Sequence, residues 1–503
     1  MDQSDPERKM SLNAEELEHA AEFEETRRVE VPEEANTRIK NTFDRRLLPI
    51  VCCLYVLSYL DRGNIGNAKA AGAKDDLGLS DSEWSWVLNS FYICYVCFEW
   101  TNLFWKILPA SKYVATLCVL WGTAAMCSGA AKNLGGLIAT RALLGIFEAA
   151  FGAGAPYFLS LFYRRKELGF RVSLLLGMSP LANCFASALA YGITHIKGSM
   201  EPWRYLFIIG AILWLADFDL SGIVEGAPTV LFSIVVWFFL ADSPDKAKYL
   251  SEQDATYAVE RLQVRDRTKK TGVRWNQIFA GLTDYQNYIH TVIHFCCNYS
   301  FAGLSNFLPT IVRDMGYSSV TAQGLTAPPY FLAFLCCVAA ALVSDKFGKR
   351  GYIVSGSAFI GFIGYLMLVV VQDESKKATR YAAIFLASCG VFPALCINIT
   401  WLLNNQGGDS KKGAGLAILA TFGQCSSFVS SVVFPSSDGP LYLRGTAIGC
   451  GLTGVISILG LGLHFALERE NKRRDREYGT VEADMAVDVT ELGDKNKNFR
   501  YLT

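Results

Sequence analysis

The sequence predicts an all-α polytopic membrane protein with about twelve transmembrane helices in two six-helix bundles. Three observations carry this. Windows of roughly twenty mainly apolar residues, the length that crosses a hydrocarbon core, recur from about residue 47 to 467. The chain is 51% hydrophobic and only 19% charged, less charge than an average soluble protein carries. Lys and Arg gather in alternate loops, as expected of loops facing the cytosol.

The apolar windows fall at about 46–68, 84–108, 112–131, 135–162, 168–195 and 203–240, then at about 285–310, 320–344, 351–371, 379–404, 412–434 and 444–467. Five segments follow: a cytosolic tail at 1–45, a first bundle at 46–240, a solvated cytosolic linker at 241–283, a second bundle at 284–467 and a cytosolic tail at 468–503. The start of the chain is polar and Glu-rich with no secretory signal, so the first span itself begins insertion. Arg164, Arg165, Lys166 and Arg171 follow the fourth span, Lys346, Lys349 and Arg350 the eighth, and Arg469, Lys472, Arg473 and Arg474 the twelfth. Both termini are therefore expected inside. The loop after the ninth span, with Lys376, Lys377 and Arg380, runs against the rule.

The sixth window is too long for one crossing, and Asp217, Asp219 and Glu225 in its middle would each cost roughly 2.5 to 3.5 kcal/mol at a helix centre. A second crossing there would turn the later basic loops outward. The fifteen cysteines lie almost entirely in apolar windows, where Cys acts as a small hydrophobe, so no disulfide is expected.

Ionisable side chains within a span are site candidates, because lipid excludes them unless they face a wet cavity or a partner. Four stand out: Asp61, Arg62, Arg141 and Glu148. At about 1.5 Å per residue, Asp61 lies some 21 Å into the first span and Glu148 about 17 Å into the oppositely running fourth. Arg141 then comes level with Asp61 and Arg62. Arg141 and Glu148 share a helix face with Gly145 and Gly152, which leave room for a cavity or a close neighbour. Tyr55, Tyr59 and Arg62 form a comparable face on the first span.

A proton-coupled carrier needs a carboxyl that alternates between neutral and charged, and here two acids stand among two arginines. A substrate anion competing for guanidinium would free an acid to take up a proton. Asp61 and Glu148 are therefore the proton-coupling candidates, and Arg62 and Arg141 the anion-binding ones. The second half offers uncharged groups, Asn298, Tyr299 and Asn306, then Asn398, Trp401, Asn404 and Asn405, and Gln424, suited to hydrogen bonding or stacking on a substrate. Tyr92 and Tyr95 of the second span join them.

Other patterns carry no chemistry. Cys94 and Cys97 form a CxxC without a second pair, and His290 and His294 lack the Glu of a zinc-protease helix, so no metal site is expected. The sequons at Asn298-Tyr299-Ser300 and Asn398-Ile399-Thr400 lie inside spans. No phosphate-binding loop, nucleophile elbow or dinucleotide fingerprint is present, which points away from enzymes, nucleotide-driven pumps and cofactors.

Several motifs together resemble the anion:cation symporter family of the major facilitator superfamily, in particular the fungal allantoate and nicotinate permeases. They are Leu47-Leu48-Pro49, the run from Tyr59 through Asp61, Arg62 and Asn64 to Ala68, Arg141-Ala-Leu-Leu-Gly145-Ile-Phe-Glu148, Phe162-Tyr-Arg-Arg, Asp242-Ser-Pro, Phe307-Leu-Pro-Thr-Ile, Ser344-Asp345-Lys-Phe-Gly-Lys349-Arg350 and Asn404-Asn405. The resemblance implies alternating access by two bundles, protons handled at Asp61 and Glu148, and substrate charge met by Arg62 and Arg141; from residue type alone, Tyr59, Asn298, Tyr299, Asn398, Trp401 and Asn405 are expected around the substrate. It also implies a gating latch at Asp345, Lys349 and Arg350. The chain departs from the family at Asn102 to Lys112, which lacks the first-half latch acid, at Glu99-Trp-Thr-Asn in the second span, and at Gly210 to Val224, an apparent 15-residue insertion between Ile209 and Glu225.

The expected function is proton-coupled uptake of a small organic anion, such as nicotinate, allantoate or a related acid, by a monomer in the plasma membrane lipid bilayer, with no nucleic-acid partner. Export of an acidic secondary metabolite and a non-transporting nutrient sensor are the competing readings.

Overall fold

A computed structural model describes residues 31–152, 154–193, 201–209, 227–263, 274–481 and 493–503. Most of the first tail and all of the proposed insertion at 210–224 lie outside the described residues. Within them the regular elements are helices and no strand occurs.

An amphipathic helix, α1 (Glu33–Arg46), buries Ile39 and Phe43 and leads through Leu47 into α2 (Leu48–Ala70). Next come α3 (Asp81–Phe98), continued by a 3-10 turn at Glu99–Lys106, and α4 (Ala110–Gly129). Then α5 (Leu134–Gly152), with helical Gly154–Ser160 behind it, and α6 (Arg165–Ile193) follow. The sixth window is described at its two ends, α7 (Pro202–Ile209) and α8 (Ala227–Phe239). The linker forms α9 (Glu252–Gln263) and α10 (Trp275–Leu282). The second half is α11 (Tyr285–Asp314), α12 (Ser319–Phe347), α13 (Arg350–Val370), α14 (Lys377–Asn405), α15 (Asp409–Val433) and α16 (Leu443–Tyr478).

Local chemistry sets the helix ends beyond the apolar windows. At α3 the Ser80 hydroxyl accepts from the Glu83 N–H while the Glu83 carboxylate accepts from the Ser80 N–H at 2.8 Å, a reciprocal cap that starts the helix three residues before the apolar window. Asp284 and Ser318 cap α11 and α12, and Gly348, at φ 66°, ends α12 in the left-handed region that glycine enters without strain.

Among the described residues, α5 with its continuation, α6 and α12 to α16 are long and apolar enough to cross a membrane on their own composition. Polar groups occur in α2 and α11 as well as in α5, which holds Arg141 and Glu148. In α2 these include Asp61, Arg62 and Lys69, and α11 buries His290, His294, Asn298 and Asn306 inside the bundle. Large apolar side chains such as Trp86, Trp237, Phe238, Phe331, Phe359 and Ile458 stay exposed on the outside, which suits a hydrocarbon solvent.

In the first half α3 packs on α5, α2 on α6, and α4 on α5 and α8. In the second, α13 packs on α14 and α16, and α11 on α14, α15 and α16. The α13–α14 contact is backbone to backbone: a Cβ at Gly390 would lie 2.2 Å from the Gly361 nitrogen, and one at Gly364 2.4 Å from the Ala387 nitrogen. The halves meet where α6 crosses α12 and α14, α2 meets α11, and α3 meets α15.

Two expectations from loop charge change in detail. The linker is not simply solvated: Arg261 is fully buried, donating to Asn36 Oδ1 at 3.0 Å, Phe162 O at 3.0 Å and Glu167 at 3.1 Å, which ties α9 to α1 and the base of α5–α6. Arg380, the exception to the charge rule, is buried too and donates to the carbonyls of Val371 at 2.7 Å and Leu441 at 3.1 Å, closing the end of α13 onto the lead-in to α16.

Gly390→Ala is expected to force α13 and α14 apart and cost about 1–3 kcal/mol. A clear fall in the thermal unfolding midpoint of the detergent-solubilised protein checks this, against no change for Gly356→Ala, where a Cβ meets open space.

Candidate functional site

The four intramembrane charges converge behind one cavity. Ser58, Asp61 and Arg62 come from α2, and Arg141 and Glu148 from α5. Arg62 Nη2 lies 2.8 Å from Glu148 Oε1, with both side chains almost wholly buried. The Ser58 hydroxyl donates to the same oxygen. Glu148 Oε2 and Arg62 Nε are buried with no hydrogen-bond partner, so the pair is satisfied on one side only. Such a pair has spare bonding capacity in a medium where unmet capacity is costly.

Aromatic faces hold the Arg62 guanidinium. Its carbon is 4.6 Å from the Tyr59 ring centre and 5.0 Å from those of Phe91 and Tyr95. Arg141 lies 5.1 Å from Phe91, with Nη2 donating to the Arg62 carbonyl at 3.4 Å and its other nitrogens Nε and Nη1 unpartnered. Asp61 makes no ion pair with either arginine: its Oδ2 accepts from the Thr229 hydroxyl of α8 at 3.0 Å. Position along the spans puts Asp61, Arg62 and Arg141 at one level, but the pair that forms is Arg62 with Glu148.

The two glycines of the α5 face serve close approach. A Cβ at Gly145 would sit 2.4 Å from the Phe91 carbonyl oxygen, and one at Gly152 would sit 1.9 Å from the Tyr95 hydroxyl. The stripe thus seats α3 so that Phe91 and Tyr95 reach Arg62.

A cavity of about 60 Å³ lies between the halves. Tyr55, Tyr59, Arg62, Tyr95 and Glu99 line it from the first half, and His294, Asn298 and Gln424 from the second. Asn298 Nδ2 reaches Gln424 at 3.2 Å and His294 Nε2 at 3.1 Å. Of the expected substrate contacts, Arg62, Tyr59 and Asn298 face this space. Tyr299 instead donates to the Gly445 carbonyl at 2.9 Å, and Asn398 pairs with His290 at 2.7 Å, both within the second half.

Trp401 and Asn405 meet the tail rather than the cavity. Trp401 Nε1 and Asn405 Nδ2 donate to the Leu502 carbonyl at 2.7 and 2.8 Å, and the Leu502 N–H returns a bond to Asn405 Oδ1 at 2.8 Å. Asp494 anchors the same segment on Lys411 at 2.7 Å, and Arg474 grips the carbonyls of Asp494 and Phe499. No signal local to Trp401 or Asn405 points to a partner about a hundred residues away. Glu99, by contrast, lies inside the apolar window at 84–108, where an ionisable side chain is a site candidate by the rule that singles out the other four.

Hydrogen bonds join the halves at both ends. At the end remote from α1, Asn306 reaches the Tyr92 hydroxyl at 3.0 Å, Ser431 reaches Asn89 at 2.6 Å and Ser436 reaches Asp81 at 2.8 Å. At the end nearer α1, Ser173 meets Thr400 at 3.0 Å. There Arg350 also pairs with Asp345 at 3.0 Å, both against Gly169 of α6. A Cβ at Gly169 would strike both latch side chains at 2.5 Å. Lys349 stands outside the latch, 5.9 Å from the Tyr352 ring centre.

Residues 51–431 match the Major Facilitator Superfamily. The chain belongs to that superfamily. It is 30% identical over 445 residues to the MFS-type transporter efuF of Hormonema carpetanum, covering 88% of this chain and 87% of the relative. It is 29% identical to the major facilitator-type transporter hxnP of Emericella nidulans, covering 94% of each. The fold resembles that of the proton:xylose symporter XylE, at a TM-score of 0.62 with 15% identity over 84% of this chain and 95% of that one. A bacterial homologue of the lysosomal transporter Spinster, inward-facing and unoccupied, gives 0.61 with 14% identity over 84% and 96%. This facilitator is thus a multi-pass membrane transport protein and not an enzyme.

Removing Arg350 should release α6 from the α12–α13 corner. In a cysteine-free background carrying Ser173→Cys, Arg350→Ala is expected to speed labelling by a charged maleimide several-fold. An unchanged rate would show that the latch does not hold that end closed.

Proposed function

We propose that this facilitator is a proton-coupled uptake carrier for a small organic anion, of the anion:cation symporter type, acting as a monomer in the plasma membrane with both termini cytosolic. The observation that carries the reading is the Arg62 guanidinium, buried on the cavity wall and bonded through one nitrogen to one oxygen of Glu148.

A guanidinium stays charged and offers a planar fork of donors, so a carboxylate entering the cavity competes directly with Glu148 for Arg62. Glu148 cannot follow into water. Stripped of its cation in a low-dielectric site, its carboxyl favours the neutral form and takes a proton. Substrate and proton then enter together, and loss of either returns Glu148 to Arg62. Asp61, bonded to Thr229 rather than to an arginine, is the second carboxyl in the exchange, and Arg141 keeps two unsatisfied nitrogens. The two closed ends supply alternate gates. In this orientation the Asp345–Arg350 latch faces the cytosol and the Asn306–Tyr92 contact faces outward. The names of the fungal relatives support transport and leave its cargo open.

Radiolabelled nicotinate and allantoate, offered to yeast lacking the matching permeases and expressing the full chain, test this. Uptake is expected to be several-fold faster at pH 5 than at pH 7, with the stimulation lost in Glu148→Gln and Asp61→Asn and uptake itself lost in Arg62→Ala. Uptake indifferent to pH in the parent rejects proton coupling. Efflux of an acidic metabolite without uptake would reverse the assigned direction.

A further inference from the structure

One more carboxylate opens onto the same cavity and has no part in that exchange. Glu99 stands where α3 gives way to its 3-10 turn. Its Oε2 accepts from the Thr421 hydroxyl of α15, in the other half, at 3.3 Å. Its Oε1 is buried with no hydrogen-bond partner, and the residue as a whole is 6% exposed. Among the described residues no Lys, Arg or His nitrogen lies within 4.0 Å of it.

Its place on the cavity wall makes this oxygen informative. Arg62 and Glu99 line the same cavity, and the Glu99 carboxyl has no cation of its own among the described residues, so a cationic group arriving there would be its first counter-charge. A ligand that is only an anion leaves this carboxyl without a partner, in surroundings where charges interact several times more strongly than in water. A ligand that brings its own cation meets Arg62 and Glu99 each with an opposite charge. The spacing suits a small molecule. Tyr95 is one helical turn, about 6 Å, before Glu99, and its ring centre is 5.0 Å from the Arg62 guanidinium.

We propose that the cavity selects a zwitterion, with the substrate carboxylate on Arg62 and a cationic nitrogen between the free oxygen of Glu99 and the Tyr95 ring. The Arg62 pole rests on the anion-carrier reading above, and the Glu99 pole stands on its own observations. His294 and Gln424 line the same cavity from the second half and add no carboxylate that would compete with Glu99 for a cation.

Equilibrium binding to the purified full-length chain at pH 7, with nicotinate and its N-methylated, permanently zwitterionic derivative, tests both poles without depending on transport direction. The zwitterion is expected to bind at least tenfold more tightly. Glu99→Gln should abolish that preference while keeping nicotinate binding, which shows that the variant is folded, and Glu99→Asp should keep part of it. Arg62→Ala should weaken both ligands together. A preference unchanged in Glu99→Gln, or absent from the parent, overturns the zwitterion site. Loss of preference in Glu99→Gln with no effect of Arg62→Ala keeps the cation pole and rejects the anion reading. Binding of neither ligand overturns both.

Discussion

The half-satisfied ion pair between Arg62 on α2 and Glu148 on α5 is the interaction around which the first half is arranged. Breaking a buried pair by removing one partner typically costs about 3–5 kcal/mol, so neither residue can be left alone in the bundle. Neither is the pair complete, since Glu148 Oε2 and Arg62 Nε face no partner. A fully bonded pair would serve only as a structural clamp. This one can exchange a partner.

Holding a guanidinium in that state requires closely packed neighbours rather than more hydrogen bonds. Tyr59, Phe91 and Tyr95 enclose Arg62 with ring faces, and Gly145 and Gly152 let α3 approach α5 near enough for two of those rings to reach it. Any side chain at Gly152 would strike the Tyr95 hydroxyl and disturb the guanidinium without touching it. The halves close over this centre through small polar contacts such as Ser173–Thr400 and Ser431–Asn89. Single hydrogen bonds of this kind contribute about 1 kcal/mol each, a scale that lets a substrate shift the balance between closed and open ends.

The fold was largely legible in the sequence because spanning a bilayer leaves few options: apolar windows of fixed length, with charge confined to loops. The charged centre was legible for a related reason, since Asp61, Arg62, Arg141 and Glu148 stand out against lipid. Pairing was less so. Depth along a helix brings Asp61 level with Arg141, but side-chain direction hands Asp61 to Thr229 instead. In the second half, asparagine and histidine serve packing and binding equally well by type. Asn398 takes His290, Tyr299 takes a backbone carbonyl, and Asn298 alone of those three faces the cavity. The docking of Leu502 on Trp401 and Asn405, and the burial of Arg261 beneath α1, depend on partners 97 or more residues away that no local pattern specifies.

Proton uptake on ligand binding tests the partner exchange most directly. With the purified protein in weakly buffered solution near pH 7 and a pH indicator, saturation with an anion that binds is expected to draw close to one proton per molecule bound, and Glu148→Gln to bind the same anion with markedly less uptake. Binding with no proton uptake in the parent, or with uptake undiminished in Glu148→Gln, would contradict the account.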